Sequence, residues 1–155
     1  MKKHLILCLL FALFTGELAA QELITNVYGR SVRSLNGKWN AIVDLYDQGH
    51  RMEIYKNMSP QGNTDFYEYS FENGLRLNVP GDWNSQMPEL KYYEGTIWYA
   101  RHFDARREPG KRQFLYFAAV SYRSRVYLNG VEIADHEGGF TPVSYTHLTL
   151  PTNSL

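Results

Sequence analysis

The residues of this chain that could do chemistry crowd into one stretch. Asp82, Glu89 and Glu94 are the carboxylates nearest to aromatic residues, and they fall within or between Pro80-Gly81-Asp82-Trp83-Asn84 and Tyr92-Tyr93-Glu94-Gly95. Two carboxylates about 5 Å apart can serve as acid/base and nucleophile, but nothing in the spacing of these three makes such a pair. Recognition of a polyhydroxylated ligand suits the same stretch better. Trp83 could stack on the apolar face of a sugar, with Asp82, Asn84, Tyr92 and Glu94 in reach of hydroxyls. These five are the candidate substrate-binding residues. A structural role competes with this one: Trp83 and Trp98 as packed rings, and Asp82 as the cap of its loop.

Other chemistries find no support. His50, His102 and His136 lack metal-ligand spacing, and the single cysteine, Cys8, lies in the N-terminal apolar run, so no metal is expected. Gly138-Gly139 is followed by neither Lys-Ser nor Lys-Thr, so it reads as a tight backbone turn and not as a phosphate loop. No G-x-S-x-G elbow occurs. No cofactor is expected.

The elements that must hold these residues read as short strands. Leu35 to Trp39 gives a turn and then a strand through Ala41-Ile42-Val43, broken by Asp47 to Gly49. Pro60 to Asn63 marks a turn. Leu75, Leu77 and Val79 alternate with Arg76 and Asn78, a half-buried strand ended by Pro80-Gly81. Thr96 to Phe103 is dense in β-branched and aromatic residues, and Arg112 to Val120 follows with Phe114, Tyr116 and Ala118 on one face. Asn129-Gly130 between Arg125–Leu128 and Val131–Ala134 predicts a tight hairpin with positive φ at both turn residues. No amphipathic helix stands out, and the pattern predicts an antiparallel β-sandwich.

Composition adds bounds. The 155 residues carry 16 basic and 16 acidic side chains, and 12 of them are tyrosines that suit half-buried sheet faces. Met1 to Ala20 reads as a secretory leader, with Lys2-Lys3 ahead of a short apolar run and small residues before Gln21. Its removal leaves a net charge of −1 and no cysteine. Export to a periplasm or beyond is the expectation, with no membrane association after cleavage and no nucleic-acid partner. Arg106, Arg107, Lys111 and Arg112 flank Glu108-Pro109-Gly110 and read as a solvated loop.

The order V-P-G-D-W-N, Y-Y-E-G-T-I-W-Y-A-R-H-F, V-Y-L-N-G-V-E-I-A-D-H-E-G-G-F over Val79 to Phe140 resembles the N-terminal sugar-binding β-sandwich of glycoside hydrolase family 2, the β-galactosidase and β-glucuronidase group. The resemblance covers Leu35 to Pro142. It implies an all-β, antiparallel jelly-roll sandwich of the galactose-binding type, incomplete at its C-terminus, with residues 21–34 leading into it. It also implies that the catalytic glutamates belong to a later (β/α)8 barrel, so this chain would carry no catalytic residue. The implied partner is a β-linked glycoside, met through the whole enzyme. A non-catalytic secreted carbohydrate-binding sandwich is the alternative, and a purely structural β domain a third reading.

The family pattern breaks after Pro142. One reading frame of a transposase sequencing adapter translates to Val143 through Thr152 in order, so 143–155 is expected to be adapter-derived, although Val143, Tyr145, His147 and Thr149 alternate with Ser144, Thr146, Leu148 and Leu150 as a strand would. A sandwich cut there should leave apolar faces bare and an edge unpaired.

Overall fold

The computed structural model describes residues 24, 26–58, 69–106 and 109–146. The leader, the turn at 60–63 and residues 147–155 lie outside these. Among the described residues seven strands run in chain order: β1 (Gly37–Asp44), β2 (Leu75–Val79), β3 (Thr96–Ala100), β4 (Phe114–Phe117), β5 (Arg123–Leu128), β6 (Val131–Glu137) and β7 (Val143–Thr146). All pairings are antiparallel: a three-stranded sheet β2-β1-β3 and two ladders, β4-β7 and β5-β6. The fold is the expected all-β antiparallel sandwich.

The central strand β1 is buried on both faces, which is why it reads as a continuous apolar run through Ala41-Ile42-Val43. Ala41 packs with Leu77 and Leu90, flanked by Val43, Trp83, Tyr93 and Tyr99. On the opposite face Ile42 packs with Ile54 and Phe71, flanked by Trp98 and Ala100. The β5–β6 hairpin is fastened over that second face by rings. Tyr127 stacks on Tyr55 at 4.4 Å and lies 5.8 Å from Trp98. Asn129 (φ 50°) and Gly130 (φ 79°) take the positive angles the hairpin needs.

Three expectations change. β3 and β4 are shorter than the apolar runs that announced them, ending at Ala100 and Phe117. A single helical turn, α1 (Trp83–Gln86), stands where the sequence showed only a loop; four residues are too few to display a helical period. The third concerns the tail. Setting 143–155 aside as adapter-derived denied it a strand, yet Val143–Thr146 pairs with β4, with Val143 fully buried and Ser144 6% exposed. Alternation and β-propensity are enough for that pairing, since a ladder responds to pattern whatever the origin of the codons.

Candidate functional site

The five candidate residues lie on one segment that leaves β2 at Val79 and re-enters the sheet at β3. Gly81 turns it, and a Cβ there would lie 2.7 Å from Gln86 Nε2 and 2.8 Å from the Asn78 carbonyl oxygen. The Asp82 carboxylate caps α1, accepting from the backbone N–H groups of Asn84 (3.0 Å) and Ser85 (3.1 Å). Trp83 turns its ring onto the Ala41–Leu77–Leu90 cluster and donates Nε1–H to the Tyr93 carbonyl at 3.3 Å. Asn84 donates Nδ2 to the carbonyls of Leu90 (2.6 Å) and Tyr93 (3.0 Å). In this geometry Asp82, Trp83 and Asn84 direct their polar groups into their own loop.

Tyr92 and Glu94 differ. Tyr92 is 85% exposed, with the Lys91 ammonium 5.2 Å from its ring centre, and Glu94 is exposed as well. Between them Tyr93 points inward. Its hydroxyl sits 3.0 Å from the carbonyl oxygens of both Asp44 and Thr96 and donates to one or the other. Burial, with Asp44 and Asp47 nearby, pushes that phenol above its ordinary pKa. Gly95 leaves room for the ring: a Cβ there would lie 2.5 Å from the Tyr93 hydroxyl. The result is a loop held from inside at Tyr93 that presents one aromatic face and one carboxylate to solvent, groups suited to an apolar sugar face and to hydroxyls.

Sequence reading missed the residue beneath this loop. Asp44, 2% exposed, accepts from the backbone N–H of Gly49 (2.6 Å) and Gln48 (2.9 Å) and from Trp98 Nε1 (3.0 Å). Burial pushes its carboxyl up, but the donors from Trp98, Gly49 and Gln48 outweigh burial and hold it below the usual carboxylate value. An acid closing the apolar run Ala41-Ile42-Val43 was the available signal. Among the described residues no group of three or more His, Cys, Asp or Glu could hold a metal ion, and no helix is long and apolar enough to cross a membrane.

No family model matches the chain. Individual relatives do. A β-glucuronidase of Canis lupus familiaris is 30% identical over 123 residues, spanning 73% of this chain and 17% of the relative. A β-galactosidase of Thermoanaerobacter pseudethanolicus is 30% identical over 122 residues, spanning 76% of this chain and 14% of the relative. Among solved structures, an uncultured Clostridium sp. β-glucuronidase superposes with a TM-score of 0.63 at 28% identity, over 81% of this chain and 21% of that one. A Ruminococcus gnavus β-glucuronidase in complex with C6-substituted uronic isofagomine also gives 0.63, at 29% identity, over 86% and 21%. The chain is a homologue of the family 2 glycoside hydrolases. The homologous region is an N-terminal β-sandwich of that family, and the family 2 homologue spans less than a fifth of the length of the curated relatives it matches.

Proposed function

We propose that this chain forms the N-terminal sandwich of an exported family 2 glycoside hydrolase and borders the sugar site of a catalytic barrel encoded beyond it. Two glutamates of that barrel would carry out a retaining double displacement on a β-linked glucuronide or galactoside. The observation that carries the reading is the loop geometry. In a fold shared with β-glucuronidases, Tyr93 anchors a segment whose Tyr92 and Glu94 face outward. Tyr92 supplies an apolar ring face and Glu94 a hydroxyl acceptor at the rim. Asp82, Trp83 and Asn84 hold the rim's shape from inside.

The test uses the protein expressed from the whole source gene with p-nitrophenyl β-glucuronide and β-galactoside. Hydrolysis of one of them is expected, with Tyr92→Ala and Glu94→Gln each raising KM about 5–20-fold while kcat changes little, as for lost binding contacts worth about 1–2 kcal/mol. Unchanged KM in both variants removes these residues from the rim. Sugar-dependent Trp fluorescence without hydrolysis would favour the binding module.

A further inference from the structure

The face of the three-stranded sheet that carries Ile42 changes character along β1. Side chains directly opposite each other in an antiparallel pair share a face. Ile42 lies opposite Trp98 and packs with Ile54 and Phe71. One row on, Asn40 lies between Arg76 of β2 and Ala100 of β3, and in the row after that Lys38 lies opposite Asn78. There the apolar packing stops: Asn40 is half-buried, and Lys38, Arg76 and Asn78 are exposed. The four polar side chains form a block two strands wide and two rows deep. Lys38 and Arg76 occupy its diagonal, their Cβ atoms about 7 Å apart.

The block is fixed at its margins. Gln86 donates Nε2 to the Asn78 carbonyl (3.1 Å) and accepts from the Asn78 N–H at Oε1 (2.6 Å). That ties the edge of β2 and leaves the Asn78 side chain on the face. The Arg101 guanidinium donates to the Lys38 carbonyl at 2.7 Å and brings a third cation to the border. Nothing described in the fold consumes the four side chains. Among the described residues neither Lys38 nor Arg76 meets a carboxylate and neither asparagine amide has a hydrogen-bond partner, whereas Lys56, Arg123 and Arg125 all pair with acids. The acid on this face of the described strands is Asp44, about 13 Å along β1 from Asn40 and beyond the Debye length of about 8 Å at physiological salt. Asp44 is already committed to Gly49, Gln48 and Trp98. In a chain with 16 acidic and 16 basic side chains, this face concentrates one sign of charge.

We propose that Lys38, Asn40, Arg76 and Asn78 bind an acidic polysaccharide, a polymer that carries anionic groups among its hydroxyls. Lys38 and Arg76 take carboxylate or sulfate groups, and Arg76 can present two parallel N–H donors to one of them. Each asparagine offers an NH2 donor and a carbonyl acceptor to hydroxyls. The block itself carries no ring on which a nucleic-acid base could stack. It lies at the opposite end of β1 from the rim loop, which Tyr93 ties to Asp44, so it is a second site. The choice of a sugar polymer over another polyanion rests on the reading of the chain as part of a glycosidase.

Affinity electrophoresis of the protein expressed from the whole source gene tests this, in native gels containing polygalacturonate, neutral pullulan, polyglutamate or double-stranded DNA. Polygalacturonate alone should retard the protein. The double variant Lys38→Gln/Arg76→Gln should bind it about 10-fold more weakly. Arg30→Gln/Arg51→Gln removes the same charge elsewhere and should change binding less than about 2-fold. Hydrolysis of p-nitrophenyl glycosides should be the same in all three proteins. No retardation of the wild type, or equal weakening in the two double variants, overturns the site. Equal retardation by polyglutamate or DNA overturns the polysaccharide as its ligand. Retardation by polygalacturonate without glycoside hydrolysis overturns the glycosidase reading and supports this site; hydrolysis without retardation does the reverse.

Discussion

A carboxylate taken out of water needs donors around it, and Asp44 has three within 3.0 Å. Its folded pKa lies below the ordinary aspartate value of 3.8, so the stability it contributes is full above that value and is lost as pH falls through the folded one. Asp44→Asn turns one acceptor oxygen into an NH2 group facing backbone or indole N–H. A loss of about 2 kcal/mol at pH 7 is expected, read as a lower urea midpoint for Trp emission, with the gap to wild type closing below about pH 3.8. A constant gap across pH would assign the loss to packing. None of this was legible in the sequence beyond an acid at the end of an apolar run. The Trp98 donor lies 54 residues away, and only the fold brings it there.

At the scale of elements, legibility follows how local the cause is. The Asn129-Gly130 hairpin and the alternating β2 strand could be read from neighbouring residues, because turn chemistry and side-chain alternation are local. The one-turn helix α1 could not, although Asp82 was weighed as a cap and does cap it. Nor could the role of Gln86, which acts on a strand eight residues back. The rim loop shows the same limit. Its residue types were visible, but not that Tyr93 points inward while its neighbours face solvent. Tyr93→Phe removes the hydroxyl that lies against Asp44 and Thr96. A cost of about 1 kcal/mol is expected, seen as roughly 5-fold faster trypsin cleavage after Lys91 in the otherwise folded chain. An unchanged cleavage rate would mean that the ring's packing alone holds the loop.

For the whole molecule, the apolar surface is distributed unevenly. Leu45, Tyr46, Tyr92, Tyr122, Val131 and Phe140 are each more than half exposed, while only seven hydrophobic residues are buried among those described. That is a thin core for a sandwich of this size. Residues 21–142, which also lack β7, should therefore unfold over a broad range and associate as they do so. A sharp, reversible thermal transition from a soluble monomer would contradict this.

The ring contacts of Tyr55, Tyr127 and Trp98 have a mechanical consequence. β5 and β6 pair only with each other among the described strands, so no shared ladder ties their hairpin to the three-stranded sheet. Under load the hairpin can lift as an intact plate by parting three rings, whereas separating β1 from β3 means breaking a row of hydrogen bonds. Force spectroscopy pulling at the hairpin should find a weak first event there, one that Tyr127→Ala abolishes.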